Sequence, residues 1–292
     1  MEKRGDSFVQ KWHSVYFLIP VFEHPAVMPS LDCFMEALTA KFGKVQPMAE
    51  SPQMPEKAED MLGFALFDHP SYNQSDKSSY PSQLMLYGPD EFDQELWDDQ
   101  IVMQFWDCQP DRQGFAARCR YSIMASNMMA ACLPMIEQYQ IMADYAELLL
   151  ELFPDCIAIY WPHSQKLVPR DVFLTPHWNS RELHFLDGGL NVRFFNISNS
   201  NEMLFDTLGL TTIGLPDLQC HCKNLAPNDV VIFLRNLAAY LYRQGDIIED
   251  GNTVEGIEGG KWVCRREDSM VGPKRMVLDI CPGIYAGGGR DK

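Results

Sequence analysis

Asp217, Gln219 and His221 stand two residues apart and offer the most legible chemistry in the chain. Alternate residues of a β-strand share one face. This spacing therefore sets a carboxylate, an amide and an imidazole in a row and turns Leu218, Cys220 and Cys222 towards the core. Such a row suits positioning of a water, general acid–base work or a metal ion. It equally suits a hydrogen-bonded network that fixes the glycine-rich crossing between Gly209 and Gly214, which is the simpler reading. Asp206, ahead of Thr207 and Gly209, is either a further reactive carboxylate or a turn-forming aspartate that accepts backbone N–H bonds. Asp206, Asp217 and His221 are the candidate catalytic set.

Other residue types with chemical potential are weaker. Cys220, His221 and Cys222 cannot readily ligate one zinc ion, because neighbours on a strand point apart and no second Cys/His pair stands at finger spacing. His177 and His184 lie in irregular chain and could converge, though nothing in the sequence requires it. Asp246, Glu249, Asp250 and Glu255 surround the turn signature Asp250–Gly251–Asn252. Ile247–Ile248 interrupts the alternating oxygen ligands that a calcium loop needs, so this is a solvated turn. The expectation is no metal and no cofactor, with Asp217, Gln219, His221, Asp250 and Asn252 as candidate binding residues. No nucleophile elbow, phosphate-binding loop or dinucleotide fingerprint occurs. The Gly287–Gly289 run has no helix behind it to cradle a phosphate and reads as a frayed tail.

A formal charge of -16 opposes nucleic-acid binding, which needs a basic footprint. The densest basic pair, Arg265–Arg266, is followed at once by Glu267 and Asp268. The same charge disfavours anionic membranes and suits a basic protein partner. No apolar run reaches membrane-spanning length, and the N-terminus lacks the apolar stretch of a secretion signal. Nine cysteines, an odd number without a CxxC pair, read as reduced thiols. A cytoplasmic location is expected.

The elements that must position these residues follow from periodicity. Val15–Ile19 reads as a strand closed by Pro20. Ser30 caps a helix to Phe42, and Gly43 stops it. Met61–Phe67 and Gln83–Tyr87 read as strands separated by a polar, mobile Ser71–Ser82 loop. Glu91–Trp106 suggests a helix with an acidic outer face, and Gln109–Gly114 an internal border. Arg118–Ala125 is a strand, Pro134–Phe153 a broad apolar helix, Ile157–Trp161 a buried strand, and Lys166–Glu182 irregular. A strand around Val192–Ile197 and a second apolar run, Met203–Leu208, precede the polar strand. Pro227 opens the cleanest amphipathic helix, with Val230, Phe233, Leu234, Leu237, Ala238 and Leu241 on one stripe, and Gly245 closes it. Trp262–Cys264 and Met276–Ile280 are the last strands. The order implies an α+β fold: mixed sheets with helices packed on one face. A β–α–β–β pattern starting near Val15 and again near Arg118 allows two ferredoxin-like halves, with domains at 1–115 and 116–292.

The strings Asn191–Phe195 (NVRFF), Asp206–Leu210 (DTLGL), Gly214–His221 (GLPDLQCH), Gly245–Asp246 and Asp250–Thr253 (DGNT) resemble, in this order, a bacterial domain-of-unknown-function family numbered four-two-six-one. The likeness covers the last third of the chain, departs at Cys222, where the family would place an aromatic residue, and implies no activity. Two functional readings remain. One is a non-enzymatic interaction module whose acidic face meets a basic protein partner, for instance an immunity-type antagonist. The other is a hydrolase-like enzyme using Asp206, Asp217 and His221, which requires those groups to converge in a pocket.

Overall fold

The first strand, β1 (Phe17–Phe22), runs straight through Pro20. Its register with the neighbouring strand on one side skips Ile19 and Pro20, so the missing proline N–H falls where no ladder bond is made. The computed structural model describes residues 15–73, 77–257 and 259–289, so the N-terminal segment before Val15 lies outside the described residues. Ser30 Oγ accepts the Cys33 amide at 3.3 Å to open α1 (Leu31–Phe42), and Gly43 ends it at φ +75°. Next come β2 (Val45–Pro47), β3 (Met61–Asn73), β4 (Ser78–Glu91), α2 (Asp99–Val102), α3 (Arg112–Arg118), β5 (Tyr121–Met128) and α4 (Met135–Leu152). They are followed by β6 (Cys156–Trp161), β7 (Lys166–Pro169), α5 (Arg170–Phe173), α6 (Phe185–Gly189), β8 (Asn191–Asn196), β9 (Glu202–Leu208) and β10 (Asp217–Lys223). The chain ends with α7 (Pro227–Gln244), β11 (Thr253–Glu255), β12 (Lys261–Asp268) and β13 (Met276–Cys281).

The fold is α+β, built on two sheets. The first has the order β2-β3-β4-β5-β1-β6-β7 and the second β11-β12-β13-β10-β9-β8. All neighbours in the first are antiparallel. The second is mixed, because β10 runs parallel to β13. The ferredoxin-like halves do not form: β5 inserts between β4 and β1, and β1 between β5 and β6, so both β–α–β–β runs are woven into one sheet. The line at 115/116 therefore passes through a hydrogen-bonded sheet.

Helices are not confined to one face of the first sheet. Phe34, Leu38 and Phe42 of α1 and the long apolar stripe of α4 cover one side, facing Ile159 and Trp161 of β6. Phe92, Trp97, Val102, Phe105 and Ala116, from the segment carrying α2 and α3, cover the other, facing Ala158 and Tyr160 of the same strand. This alternation makes β6 apolar throughout. Glu91–Trp106 is not one helix: Asp93 and Asp98 each cap a new short turn by accepting Glu95 N and Ile101 N. Nor is Ser71–Ser82 a loop, since Tyr72 and Asn73 pair with Ser79 and Ser78 near the end of a long hairpin, with residues 74–76 outside the described set. Val230 and Leu234 of α7 pack on Leu218, Cys220 and Cys222 of β10, in a core continuous with that of α1 and α4.

Candidate functional site

The face of β10 turned away from α7 is polar, and it is closed. Arg193 of β8 pairs in register with Asp206 of β9, Asp206 with Gln219 of β10, and Gln219 with Asp279 of β13. Four polar side chains thus stand at one level across four strands, where cross-strand neighbours interact directly. Arg193 is 5% exposed and the other three are fully buried. Arg193 grips Asp206 with both ends of its fork, Nε to Oδ1 at 2.9 Å and Nη2 to Oδ2 at 2.6 Å. Arg275, just before β13, bridges the two candidate carboxylates: Nη2 donates to Asp206 Oδ2 at 2.6 Å and Nε to Asp217 Oδ2 at 2.9 Å.

Asp217 is anchored further by its own crossing. Oδ1 accepts Thr207 Oγ1 at 3.1 Å and the Leu210 amide at 3.0 Å, and Oδ2 accepts Thr211 Oγ1 at 2.6 Å. The two glycines make this possible. Gly209 sits at φ +123°, and a Cβ there would lie 2.1 Å from the Gly189 carbonyl oxygen; Gly214 ends the turn in the left-handed region. Burial raises the Asp217 pKa above the usual carboxylate value, against the opposing pull of Arg275, Thr211 and the Leu210 amide. Gln219 ties down the covering loop: its Nε2 donates to Asp279 Oδ1 at 3.1 Å and its Oε1 accepts the Met270 amide at 2.8 Å.

The structure brings Asp206 and Asp217 together through Arg275 and keeps His221 apart from them. His221 Nε2 lies 2.8 Å from Glu202 Oε2, and Glu202 accepts the Gly288 amide at 3.1 Å. That amide bond, with His221, holds the Glu202 carboxyl below its usual value. The C-terminal glycines are thus part of the fold rather than a frayed tail: Gly287 N donates to the His221 carbonyl at 3.0 Å, and Ala286 bridges to Cys222. Asp250 and Asn252 lie beside β11, the far edge strand, and serve the turn: Asp250 accepts the Arg266 amide at 2.8 Å and Asn252 the Glu249 amide at 3.2 Å. Asp206, expected at a turn, is interior to β9.

His177 and His184 do converge, on one carboxylate. Their Nδ1 atoms each lie 3.2 Å from an oxygen of Asp187, and His184 Nε2 lies 3.2 Å from Glu147 Oε1. Lys41 holds the other Glu147 oxygen at 2.5 Å. Burial disfavours charge on His184, but hydrogen bonds to Asp187 and Glu147 outweigh it and raise its pKa to about 9. Among the described residues, no group of three or more His, Cys, Asp or Glu side chains is arranged to hold a metal ion, and no helix is long and apolar enough to cross a membrane.

Beside the closed network an open cleft of about 830 Å³ separates residues 98–104 from Arg193 and Phe195 of β8 and from Val271–Pro273. Arg193 in its wall is committed to Asp206, whereas Asp98 and Asp99 are exposed.

Residues 206–281 match the model of DUF4261, a domain of unknown function. The matched span opens at Asp206 and includes Asp217, Arg275 and Asp279, so most of the buried network lies within it; Arg193 and the NVRFF string lie outside. No curated protein and no solved structure matches the chain.

Arg193, Arg275 and Asp279 join the site from outside the candidate set. Arg193 and Asp279 carry a usable signal: each is a charge inside an apolar strand run, a position that demands a partner.

Two outcomes follow from these contacts. Asp217→Asn keeps an oxygen for Leu210 N but leaves Arg275 Nε without its acceptor. It should cost about 1–3 kcal/mol in denaturant unfolding; an unchanged midpoint would refute the network's role. His184, raised from 6.5 to about 9, contributes stability that is full below 6.5 and lost as pH rises through about 9. Wild type should therefore lose stability over that window while His184→Gln stays flat; parallel pH profiles would count against the buried imidazolium.

Proposed function

We propose that the protein is a non-enzymatic interaction module that receives a basic segment of a protein partner in the cleft between residues 98–104 and β8. The observation that carries this reading is the contrast between two neighbouring sets of carboxylates. Asp206 and Asp217 are fully buried and spent on arginine, threonine and backbone donors. Asp98 and Asp99 line an open cleft whose one arginine is already neutralised.

The chemistry of that contrast favours binding over turnover. A reacting carboxylate needs access to substrate and a pKa matched to proton transfer. Asp217 has a perturbed pKa without access, and His221 is engaged with Glu202 away from both aspartates. The cleft offers the complementary case. Upstream of Asp98 and Asp99, Asp90, Glu91, Asp93 and Glu95 are also exposed, and no Lys or Arg interrupts the run. Two adjacent carboxylates in a concave wall, led up to by an exposed acidic run outside it, focus negative potential, which steers an oppositely charged partner and sets the register of docking.

The test uses a lysine-rich peptide as a stand-in for the basic segment. Asp98→Asn with Asp99→Asn preserves the helix cap, since Asn caps as well as Asp, and removes both cleft charges. Peptide affinity should fall about tenfold, a loss of about 1.4 kcal/mol. The control, Glu36→Gln with Glu50→Gln, makes the same change in net charge elsewhere on the exposed surface and should leave affinity within about twofold. Equal losses in the two variants would reduce the binding to bulk charge and overturn the proposal.

A further inference from the structure

Strand β8 is the terminal strand of the second sheet. An edge strand exposes a row of unpaired main-chain N–H and C=O groups, which will pair with any available strand unless covered. At Phe194 one side chain covers them. The amide of Gln104 makes both bonds that a neighbouring strand's peptide group would make: Phe194 N donates to Gln104 Oε1 at 3.0 Å, and Gln104 Nε2 donates to the Phe194 carbonyl at 3.1 Å. Gln104 is 7% exposed and comes from the segment that forms the acidic wall of the cleft.

We infer that Gln104 is a placeholder for a strand, and that the cleft's occupant is an extended basic segment that pairs with the β8 edge by main-chain hydrogen bonds. This rests on the reading of the cleft as a docking site for a basic partner and specifies how the partner is held. Main-chain groups alternate sides along a strand, so Val192 and Asn196 present theirs on the same side as Phe194. Alternate side chains of the edge strand face the cleft: Arg193 and Phe195 line it, as do Asp98 and Asp99. An incoming strand can therefore place alternate basic side chains against the two aspartates while its backbone takes over the bonds that Gln104 now makes. Main-chain pairing supplies the affinity in this mode, and pockets for alternate side chains supply the selectivity. The single glutamine suits a reversible cover, because its departure uncovers one residue's worth of backbone and the Trp106 indole N–H that it also accepts at 3.2 Å.

The probe is a peptide of about ten residues alternating lysine and threonine, in three forms: unmodified, N-methylated at every lysine, and N-methylated at every threonine. Methylation removes donors along one edge of the peptide and leaves its charge intact. One methylated form should lose at least about tenfold in affinity while the other keeps it. Bound unmodified peptide should slow hydrogen exchange of the Val192, Phe194 and Asn196 amides. Gln104→Ala should tighten the unmodified peptide severalfold, because the competitor is gone. If both methylated forms bind wild type like the parent, the strand-pairing inference is overturned, whatever Gln104→Ala does to folding. In that event a loss of binding in Asp98→Asn with Asp99→Asn would still uphold the acidic cleft. Failure of the unmodified peptide to respond to those two substitutions would instead remove the docking site itself, and the pairing with it.

Discussion

Arg275 is the residue on which the second sheet turns. Two aspartates without solvent exposure need cations and donors in place of the water they lost. Arg275 supplies that replacement to both, through Nη2 to Asp206 and Nε to Asp217, and Arg193 completes the account at Asp206. Two carboxylates are thus matched by two guanidinium groups, while Asp279, buried beside them, accepts the Gln219 amide. The desolvation penalty of such a group is large, so its removal in part is worse than its absence.

The arrangement also explains the shape of the chain around it. The Arg275 side chain donates to the Thr207 and Pro273 carbonyls at 2.7 and 2.8 Å, which draws the 269–275 loop over the polar face. Gln219 fastens the same loop at Met270. Arg193 reaches the Gly272 carbonyl at 2.8 Å, so the loop is stitched to β8, β9 and β10. The far wall of the acidic cleft, Val271–Pro273, is therefore positioned by the buried ion pairs. The network thus holds a surface as well as a core.

Much of the framework was legible in local chemistry. Ser30 and Gly43 bracket α1, and Pro227 and Gly245 bracket α7, because caps are short-range devices that a sequence displays openly. The two faces of β10 followed from alternation alone: Leu218, Cys220 and Cys222 face α7, and Asp217 and Gln219 face away. What was not legible was long-range. Nothing local says that β5 inserts beside β1, or that Arg275 reaches back to Asp206. The Ser71–Ser82 stretch reads as loop by composition, yet cross-strand pairing makes it a hairpin; tertiary pairing overrides propensity there. The candidate site was half visible: the carboxylates stood out, whereas the arginines that neutralise them lie 13 and 69 residues from Asp206 in sequence.

Asp206 and Arg275 act as one buried unit. A double-mutant cycle tests it most directly, comparing Asp206→Ala, Arg275→Ala and the double variant by denaturant unfolding. The double variant should lose less stability than the sum of the single losses by about 1–3 kcal/mol, since the second substitution removes a partner already stranded. Strict additivity of the two single losses would show that the pair is not one unit and free both residues for another role.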